Sequence, residues 1–502
     1  MFFSYFFDFF KSVFFTTNHF RVAFLYFFFS VLLGYFGFLL SVSMRFQLTF
    51  PGEYLYVVDF SFENVYNGWI TYHGLIMLFW FVMPLAMGAF GNFLIPLCLS
   101  VPDLAFPRLN TFSFYSFLGS IVFLSLSYSV GGVYSGWTLY PPLSVISSSS
   151  SSSSFECLVL SVHLVGGSSI FGSSNFVATY NQERNLHDFD LQFDLYVWSV
   201  IITSLLLLSA IPILGAAVTF LLLDRNFSTF FFDVSFNGDP VLFEHLFWIF
   251  GHPEVHIVII PVFGLVSVIF GDVCRKSVFG HVQMIYAMLV IGLVGYFVWM
   301  HHMFTVGLEF NTRLYFSAAT LVIAIPTSVK VYSWLLTVWK SNCVFSTSFL
   351  FAVGFVICFT FGGFSGALLA NSLHDLYFHD TYFVVGHSHM VLSLGAVYGV
   401  FCGFYHYFPV LLSTSAFDFF GYLHFHFFFW GTVSLFAPMH VYGLYHLPRR
   451  VVDFSDYVWT DSYLYFCTLV QAFGLFGVLI SFVFLKLYVY RSFSSSYISS
   501  FN

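Results

Sequence analysis

Two pairs of histidines lie in stretches where a soluble protein would place only apolar side chains. In WIFGHPEVHIVIIPVFG, from Trp248 to Gly264, His252 and His256 are four residues apart and therefore share one helix face. In WMHHMFTVG, His301 and His302 are adjacent, so they can reach one ion only where a helix end departs from regular geometry. Three imidazoles, from His252, His301 and His302, would suit copper, zinc or iron.

A third histidine pair predicts a different use of the imidazole. In VVGHSHMVLSLGAV, His387 and His389 are two residues apart, about 200° around a helix axis. One helix can thus ligate two centres, one on each side. His73, in WITYHGLIMLF, offers one more axial ligand.

The elements that must position these histidines are membrane-spanning helices. The 502 residues are 59% hydrophobic and 8% charged, with a mean hydropathy of +0.88, which excludes an ordinary soluble domain. The apolar runs are long and do not alternate apolar with polar residues as barrel strands do, which excludes a β-barrel. We predict an all-α, polytopic bundle of twelve transmembrane helices in a single domain, at about 20–44, 67–99, 111–131, 155–182, 192–223, 240–270, 280–302, 311–337, 345–371, 382–412, 416–443 and 458–490.

Ionisable residues inside such spans are rare and usually functional. A lone buried histidine is more often a hydrogen-bonded core residue, but so many in one lipid-embedded core favour metal or cofactor ligation. The ionisable residues within spans are His73, Glu244, His245, His252, Glu254, His256, His301, His302, Lys330, His387 and His389.

The basic residues predict the orientation of the helices. Twelve spans place both termini on one side, and the larger share of Lys and Arg then lies on that side, which the positive-inside rule makes the inner one. The inner set is Lys11, Arg21, Arg108, Arg184, Arg275, Lys276, Lys340, Lys486 and Arg491, and the outer set is Arg45, Arg225, Arg313, Arg449 and Arg450.

The remaining composition predicts little chemistry. The seven cysteines lie mostly in apolar runs without paired spacing, so we expect neither a disulfide framework nor an iron–sulfur site. The octaserine Ser147–Ser154 indicates a flexible serine-rich loop at 145–154. We interpret residues 491–502 as a C-terminal tail.

Longer motifs connect the chain to a known family. Between about Thr17 and Asp456 the sequence contains FGNFLIP, VPDLAFPRLN, GWTLYPPL, DRNFSTFFFD, HPEV, WMHHMFTVG, FHDTYFVVGHSH and LPRR. In these motifs the chain resembles subunit I of the haem-copper cytochrome c oxidases. The resemblance implies a membrane enzyme that reduces O2 to water with electrons from cytochrome c and pumps protons.

The resemblance also implies roles for the histidines. His73 and His389 match the axial ligands of the low-spin haem a, and His387 matches the proximal ligand of the high-spin haem a3. His252, His301 and His302 match the ligands of the copper ion CuB.

On the outer side, the resemblance implies contacts to haem propionates and a magnesium site. Arg449 and Arg450 match the propionate-binding arginine pair, Trp137 a propionate-side tryptophan and Arg45 an arginine near the low-spin haem. His379 and Asp380 match magnesium ligands that a glutamate of subunit II completes.

Proton delivery follows from the same resemblance. Asp103 matches the mouth of the D pathway and Glu254 its end, while Lys330, with Thr327 and Ser267, matches the K pathway. For the small polar residues, interhelical packing is an equally good interpretation. The residues between Asp103 and Glu254 are Asn92, Asn110, Ser168, Ser169 and Asn175.

The sequence departs from the family pattern at several positions. A tyrosine usually stands where this chain has His256, Ser388 and Met390 replace the usual Phe and Tyr, and Gln47 replaces a glutamate of a peripheral cation site. That cation site is therefore in doubt.

Three explanations of His256 stay open. RNA editing could restore a tyrosine in the mature chain. A tyrosine of the seventh span, Tyr286 or Tyr296, could substitute for the missing phenol. Finally, His256 could act directly, as a proton relay or as a fourth imidazole near copper.

The resemblance implies partners and a location. The partners are subunits II and III, accessory subunits, cytochrome c as electron donor, membrane lipids and a respiratory supercomplex, and no nucleic acid is expected. The location is the mitochondrial inner membrane, with both termini on the matrix side.

Two other functions stay open as alternatives. The chain could be a divergent relative that acts as a nitric oxide reductase or a non-pumping oxidase, or it could be a haem-free proton-coupled transporter.

Overall fold

The structure, a computed structural model, describes residues 15–52, 62–145, 152–184, 190–411 and 418–499. Within these ranges the chain is almost entirely helical, and an isolated β-bridge pairs Thr381 with Pro448. Lys11 and residues 146–151 of the predicted serine-rich loop lie outside the described residues.

Twelve apolar helices carry the fold, and the predicted all-α membrane architecture is confirmed. Eleven of them, in the described part of the chain, are long and apolar enough to cross a membrane, and α7 is a shorter apolar helix. They are α1 His19–Gln47, α2 Phe62–Leu99, α3 Pro107–Ser129, α4 Ser152–Arg184, α5 Leu195–Asn226, α6 Pro240–Cys274, α7 His281–Phe297, α8 Phe310–Val338, α9 Thr347–Leu369, α10 Tyr382–Pro409, α11 Asp418–Leu444 and α12 Ser462–Ser499.

The seventh predicted span, 280–302, is not one regular helix. Its α-helical part ends at Val294, and two 3₁₀ segments follow, Gly295–Phe297 and Trp299–Met303. A 3₁₀ turn is tighter and longer per residue than an α turn, so the side chains beyond Gly295 leave the helix face that precedes them. The expected departure from helical geometry at His301 and His302 is thus present.

The helices form two compact units. The first comprises Met1–Ser41, Val57–Pro261 and Gly295–His302, and within it α3 packs on α4 and α4 on α5. The second comprises Val42–Tyr56, Val262–Val294 and Met303–Asn502; there α12 packs on α11, and α10 packs on both α9 and α11.

Glycines allow a close helix contact between α11 and α12 in the second unit. A Cβ atom at Gly431 of α11 would lie 2.7 Å from the backbone nitrogen of Val478, and one at Gly474 of α12 would lie 2.7 Å from the carbonyl oxygen of Gly431. Only backbones without side chains approach this closely, which is how membrane helices gain packing energy without a hydrophobic driving force.

Two of the helices contain π-helical turns beside candidate ligand histidines. In α2 they cover Ile76–Val82 and Pro84–Ala89 and begin three residues after His73; in α10 the turn Leu392–Ala396 begins three residues after His389. Such turns occur mostly at functional sites, because they shift the register of the side chains that follow.

Three local details differ from the sequence-based expectation. Cys274, the last residue of α6, forms a disulfide with Cys343, so the expectation of no disulfide is wrong for this pair. The two are 69 residues apart, and only the fold brings them together, with the backbone N–H of Val344 donating to the carbonyl of Val273 at 3.2 Å. Ser152–Ser154 begin α4 rather than ending a loop, and α12 continues through residues 491–499 of the expected tail.

Candidate active site

Three histidines of the first unit form a metal-binding geometry. One ligand nitrogen from each of His252, His301 and His302 lies within 4.8 Å of the others, and the Nδ1 of His252 is 3.2 Å from the Nε2 of His302. The Nε2 of His252 is buried and has no hydrogen-bond partner among the described residues. A buried imidazole nitrogen without a partner is costly, so this donor set fits a metal ion.

Aromatic neighbours hold these rings in place. The Trp248 indole stacks on the imidazole of His302, with centroids 3.9 Å apart and planes 9° apart, and its N–H donates to the hydroxyl of Tyr140. Trp248 lies four residues before His252 and thus on the same face of α6. The sequence analysis missed Trp248, although the spacing 248, 252, 256 was the signal that could have found it.

His256 lies beside the three-histidine cluster. Its ring stands edge-on to His252, with centroids 4.7 Å apart and planes 82° apart, and its side chain is 7% exposed. A Cβ atom at Gly295 would lie 2.5 Å from the Nδ1 of His256, so the first residue of the 3₁₀ segment has to be glycine. Within the described residues, the group of nitrogens close enough to share one ion does not include His256.

The three candidate haem ligands share one hydrogen-bonding pattern. The Nδ1 atoms lie 2.9 Å from the carbonyl oxygen of Gly37 for His73, 2.8 Å from that of Val385 for His389, and 2.9 Å from that of Gly362 for His387. A carbonyl only accepts, so each Nδ1 carries the proton and the lone pair is on Nε2. Metal-ligating histidines are usually fixed in this way.

The two histidines of α10 point to different helices, as their spacing predicts. His387 contacts Gly362 and Ser365 of α9, with 3.1 Å between its Nδ1 and the Ser365 hydroxyl oxygen. His389 stacks on Phe436 of α11 at 4.5 Å between ring centroids. One helix therefore presents an imidazole on each of two faces within the second unit.

A small cavity lies among the predicted proton-pathway residues of the first unit. Its volume is about 30 Å³, room for water, and it is lined by Asn92, Ser168 and Ser169 together with Tyr26 and Ser113. The Tyr26 hydroxyl lies 3.0 Å from that of Ser113 and 2.9 Å from that of Ser168. Sequence reasoning missed Tyr26, because nothing distinguishes it from the other tyrosines of an aromatic-rich chain.

The remaining pathway residues divide into two groups. Both carboxylate oxygens of Glu254, the Oδ1 of Asn92 and the Nδ2 of Asn110 are buried and have no hydrogen-bond partner among the described residues. Asn175 instead bonds the backbone of Phe106, accepting from its N–H at 2.9 Å and donating to its carbonyl at 3.1 Å. Among the described residues, Asn175 thus has a backbone partner in Phe106, whereas the carboxylate of Glu254 has none.

Asp103 and Ser169 make local contacts. The half-buried Asp103 accepts from the backbone N–H of Leu104 at 2.8 Å. The Ser169 hydroxyl donates to the carbonyl of Val165, one turn earlier in α4, at 3.0 Å.

Lys330 lies fully buried in the second unit. Its ammonium nitrogen has no hydrogen-bond partner in the described part of the chain, and it lies 5.2 Å from the ring centroid of Phe263 and 5.6 Å from that of Trp334. Ser267 accepts from the Trp334 indole at 2.9 Å. Thr327 bonds back to its own helix, at the carbonyls of Ile323 and Ala324.

The outer-side candidates include an ion-paired cluster. Arg449 donates from Nε to the Oδ1 of Asp380 at 2.7 Å and also through Nη2, while His379 lies between Asp380 and Asp375. Partial burial opposes ionisation of Asp380, but Arg449 and then His379 lower its pKa below the ordinary value. Burial likewise opposes protonation of His379, yet Asp375 raises its pKa.

The other outer-side residues occupy separate positions. Arg45 donates to the hydroxyl of Tyr382 at 3.3 Å and to the Oε1 of Gln471 at 3.4 Å. Arg450 has a left-handed backbone with φ of 65°. Trp137, in the first unit, packs edge-on against Phe247 and Trp248 at 5.4 and 6.0 Å between centroids.

Comparison with known proteins places this site in a family. The family model "Cytochrome C and Quinol oxidase polypeptide I" matches residues 21–482. Cytochrome c oxidase subunit 1 of Mytilus edulis is 44% identical over 454 residues, which are 89% of this chain and 82% of the relative. The same subunit of Eremothecium gossypii is 43% identical over 448 residues, which are 88% of this chain and 82% of the relative. The same subunit of Candida albicans is 40% identical over 443 residues, which are 88% of this chain and 83% of the relative.

A solved structure agrees in fold. A heme-copper terminal oxidase, solved as a dimer by cryo-electron microscopy, superposes with a TM-score of 0.78 over 94% of this chain and 84% of that one. Its sequence is 18% identical, so it supports the fold alone. From the family match and the relatives, this multi-pass membrane chain belongs to the cytochrome c and quinol oxidase polypeptide I family.

Proposed function

We propose that the chain is the catalytic core subunit of a cytochrome c oxidase, which reduces O2 to water with electrons from cytochrome c and couples the reaction to proton pumping. The observation that carries this proposal is the three-histidine cluster of the buried His252 with the half-buried His301 and His302. Membership of the family supports an oxidase that contains haem and copper and works within a complex of several subunits.

The donor sets fit the groups that the family implies. The nitrogens of His252, His301 and His302 would hold copper, His73 and His389 would hold the low-spin haem a, and His387 would hold the high-spin haem a3. When bound, these groups would supply electron transfer to O2, and the haem held by the single imidazole of His387 would supply a site for O2. The chain contributes rings whose tautomers the backbone carbonyls already fix.

Proton delivery to this centre is assigned to two sets of buried groups. In the first unit, we assign the route to Asp103, then to the water-sized cavity beside Asn92 and Ser168, and finally to Glu254. A carboxyl whose oxygens both lack a protein partner can exchange its proton with water that enters from such a cavity. In the second unit, Lys330 has the corresponding role. Asn110, Ser169, Asn175, Ser267 and Thr327 remain secondary candidates.

The outer-side assignments complete the proposal. Arg449, Arg450, Trp137 and Arg45 would contact the haem propionates or their surroundings. His379 and Asp380 would bind magnesium, although Arg449 already holds one oxygen of Asp380, and the other lies 3.8 Å from the His379 Nε2. The magnesium assignment therefore depends on the glutamate from subunit II.

The contacts of the two candidate tyrosines bear on residue 256. The Tyr296 hydroxyl is hydrogen bonded on α5, to the Leu206 carbonyl at 3.1 Å and to the Ser209 hydroxyl at 2.5 Å. Tyr286 is 56% exposed. These contacts support a role for residue 256 itself, as an edited tyrosine or as histidine, over a substitute from α7.

A peptide mass spectrum of the purified protein over residues 248–264 distinguishes these explanations. A tyrosine mass at position 256 means that the transcript is edited. A histidine mass without a cross-link leaves His256 to act directly, and a cross-link from Tyr286 or Tyr296 would restore the substitute explanation.

The proposed setting is the mitochondrial inner membrane, with subunits II and III, accessory subunits and cytochrome c as partners. The relatives from fungi and a mussel support this location.

The test of the proposed function uses the purified complex. We expect a reduced haem a band in the optical spectrum, copper in the metal analysis, and O2 uptake with ferrocytochrome c. Reduction of nitric oxide without O2 uptake would instead indicate a nitric oxide reductase. Absence of haem in a pyridine haemochrome assay would indicate a transporter.

A further inference from the structure

A buried side-chain amide links the end of α1 to segment 449–454 by hydrogen bonds. Gln47, the last residue of α1, is 0% exposed, and its Nε2 lies 2.7 Å from the carbonyl oxygen of Gly52 and 3.4 Å from that of Val452. The N–H of Gly52 donates in turn to the Oδ2 of Asp453 at 2.9 Å. All four residues belong to the second unit.

The chemistry of the partners fixes the orientation of this amide. Carbonyl oxygens only accept hydrogen bonds, so the NH2 end of the Gln47 side chain must face Gly52 and Val452. The electropositive hydrogens of the amide thus point at oxygens that would otherwise suit a hard cation. The Oδ1 of Asp453 is also buried, without a hydrogen-bond partner in the described residues.

Two carbonyl oxygens and a carboxylate are typical ligands of Ca²⁺, which takes six to eight oxygens in flexible geometry. Such a site needs an acidic or carbonyl oxygen from each neighbouring segment. With its NH2 end turned toward Gly52 and Val452, Gln47 presents electropositive hydrogens instead of its own carbonyl oxygen, and these hydrogens would repel the ion. The junction as built therefore does not fit the peripheral cation that the family resemblance implies at the position of Gln47.

We infer that the Gln47 amide takes the place of a cation and joins α1 to segment 449–454 without a metal. The junction has structural importance, because Arg45, one half-turn earlier on α1, bonds Tyr382 and Gln471, and because Arg449 precedes Val452 closely in sequence. The amide holds these arginine-bearing segments together whatever the concentration of Ca²⁺.

The test measures Ca²⁺ binding to the purified complex by equilibrium dialysis with ⁴⁵Ca²⁺, and thermal unfolding in CaCl2 and in EGTA. The wild type should show no Ca²⁺ binding that is lost when Asp453 is replaced, and its unfolding midpoint should be the same in both buffers. The Gln47→Glu variant adds a carboxylate and should bind one further Ca²⁺, with a Kd below about 1 mM. Its midpoint should fall in EGTA and recover in CaCl2.

Two further variants control this comparison. In the double variant Gln47→Glu with Asp453→Asn, the added Ca²⁺ should be lost. Asp453→Asn alone should bind as much Ca²⁺ as the wild type. This comparison tests the inference even if the Gln47→Glu variant fails to assemble. Ca²⁺ binding by the wild type that Asp453→Asn removes would overturn the inference, as would a folded Gln47→Glu complex that binds no additional Ca²⁺. O2 uptake is measured separately, so failure of the proposed oxidase activity is distinguishable.

Discussion

At the scale of single residues, the rings around the three-histidine cluster matter as much as the ligands. Trp248 stacks on His302 and its indole N–H is bonded to Tyr140, so the ring plane of His302 is fixed from one side. Loss of such supporting contacts typically lowers metal affinity about 10–100-fold. We expect Trp248→Ala to lower the copper affinity by this factor, and Trp248→Phe, which keeps a stacking ring, to lower it less.

Copper content per haem, measured by mass spectrometry across a series of chelator concentrations, checks this expectation. Trp430→Ala is the control, since Trp430 is 63% exposed on α11. Full copper retention in Trp248→Ala would mean that the stacking contact does not position His302.

Lys330 allows function to be separated from stability. Its ammonium group is buried with aromatic rings nearby and no hydrogen-bond partner among the described residues, a costly arrangement that packing alone does not explain. We expect Lys330→Met to leave the unfolding midpoint unchanged or higher, while O2 uptake falls at least about tenfold, as for loss of a proton-transfer group.

The midpoint and the O2 uptake are measured on the same preparation, with Lys486→Met, an exposed lysine of α12, as the control. A lower midpoint with normal turnover would assign Lys330 a structural role.

At the scale of elements, the two 3₁₀ segments Gly295–Phe297 and Trp299–Met303 decide where His301 and His302 point. Gly295 begins the first of them, at the end of α7, and lies against His256, where an added Cβ would be 2.5 Å from the ring. We expect Gly295→Ala to displace His256 or the first segment and to cost about 1–3 kcal/mol by overpacking. Copper content should fall as well, because His301 and His302 lie on the second segment, which follows the first after one residue.

Gly215→Ala is the matched control, since an added Cβ there meets nothing within 4 Å. Thermal unfolding and the copper content per haem measure the two effects. An unchanged copper content in Gly295→Ala would show that the segment tolerates the displacement.

The elements also show what the sequence could predict. The twelve helices and the two-faced histidine pair of α10 were predictable, because apolar length and residue spacing are local signals. The Cys274–Cys343 bond and the role of Tyr26 depend on contacts between residues distant in sequence, whereas the spacing of Trp248 from His252 was a local signal. Asn175 shows the converse limit: a polar residue type alone does not distinguish a proton path from an amide that bonds the backbone of Phe106.

At the scale of the whole molecule, α7 determines on which sides of the membrane the two termini lie. Eleven helices of the described chain are long enough to cross, so the termini share one side only if α7 also crosses. His281–Phe297 spans roughly 26 Å at 1.5 Å per residue, and the 3₁₀ residues Trp299–Met303 add roughly 10 Å at 2.0 Å per residue. Together they exceed the hydrocarbon thickness of about 30 Å.

We therefore expect twelve crossings, with both termini on the side that carries more Lys and Arg. An epitope tag after Asn502 should be cleaved by added protease in inverted inner-membrane vesicles and protected in right-side-out mitoplasts. A tag at Ser235, between α5 and α6, should give the opposite pattern. Seven helices, α6 to α12, lie between Ser235 and the C-terminus, so the two tags are on opposite sides if all seven cross. Cleavage of both tags from the same side would mean that only an even number of these helices crosses and that α7 does not span the membrane.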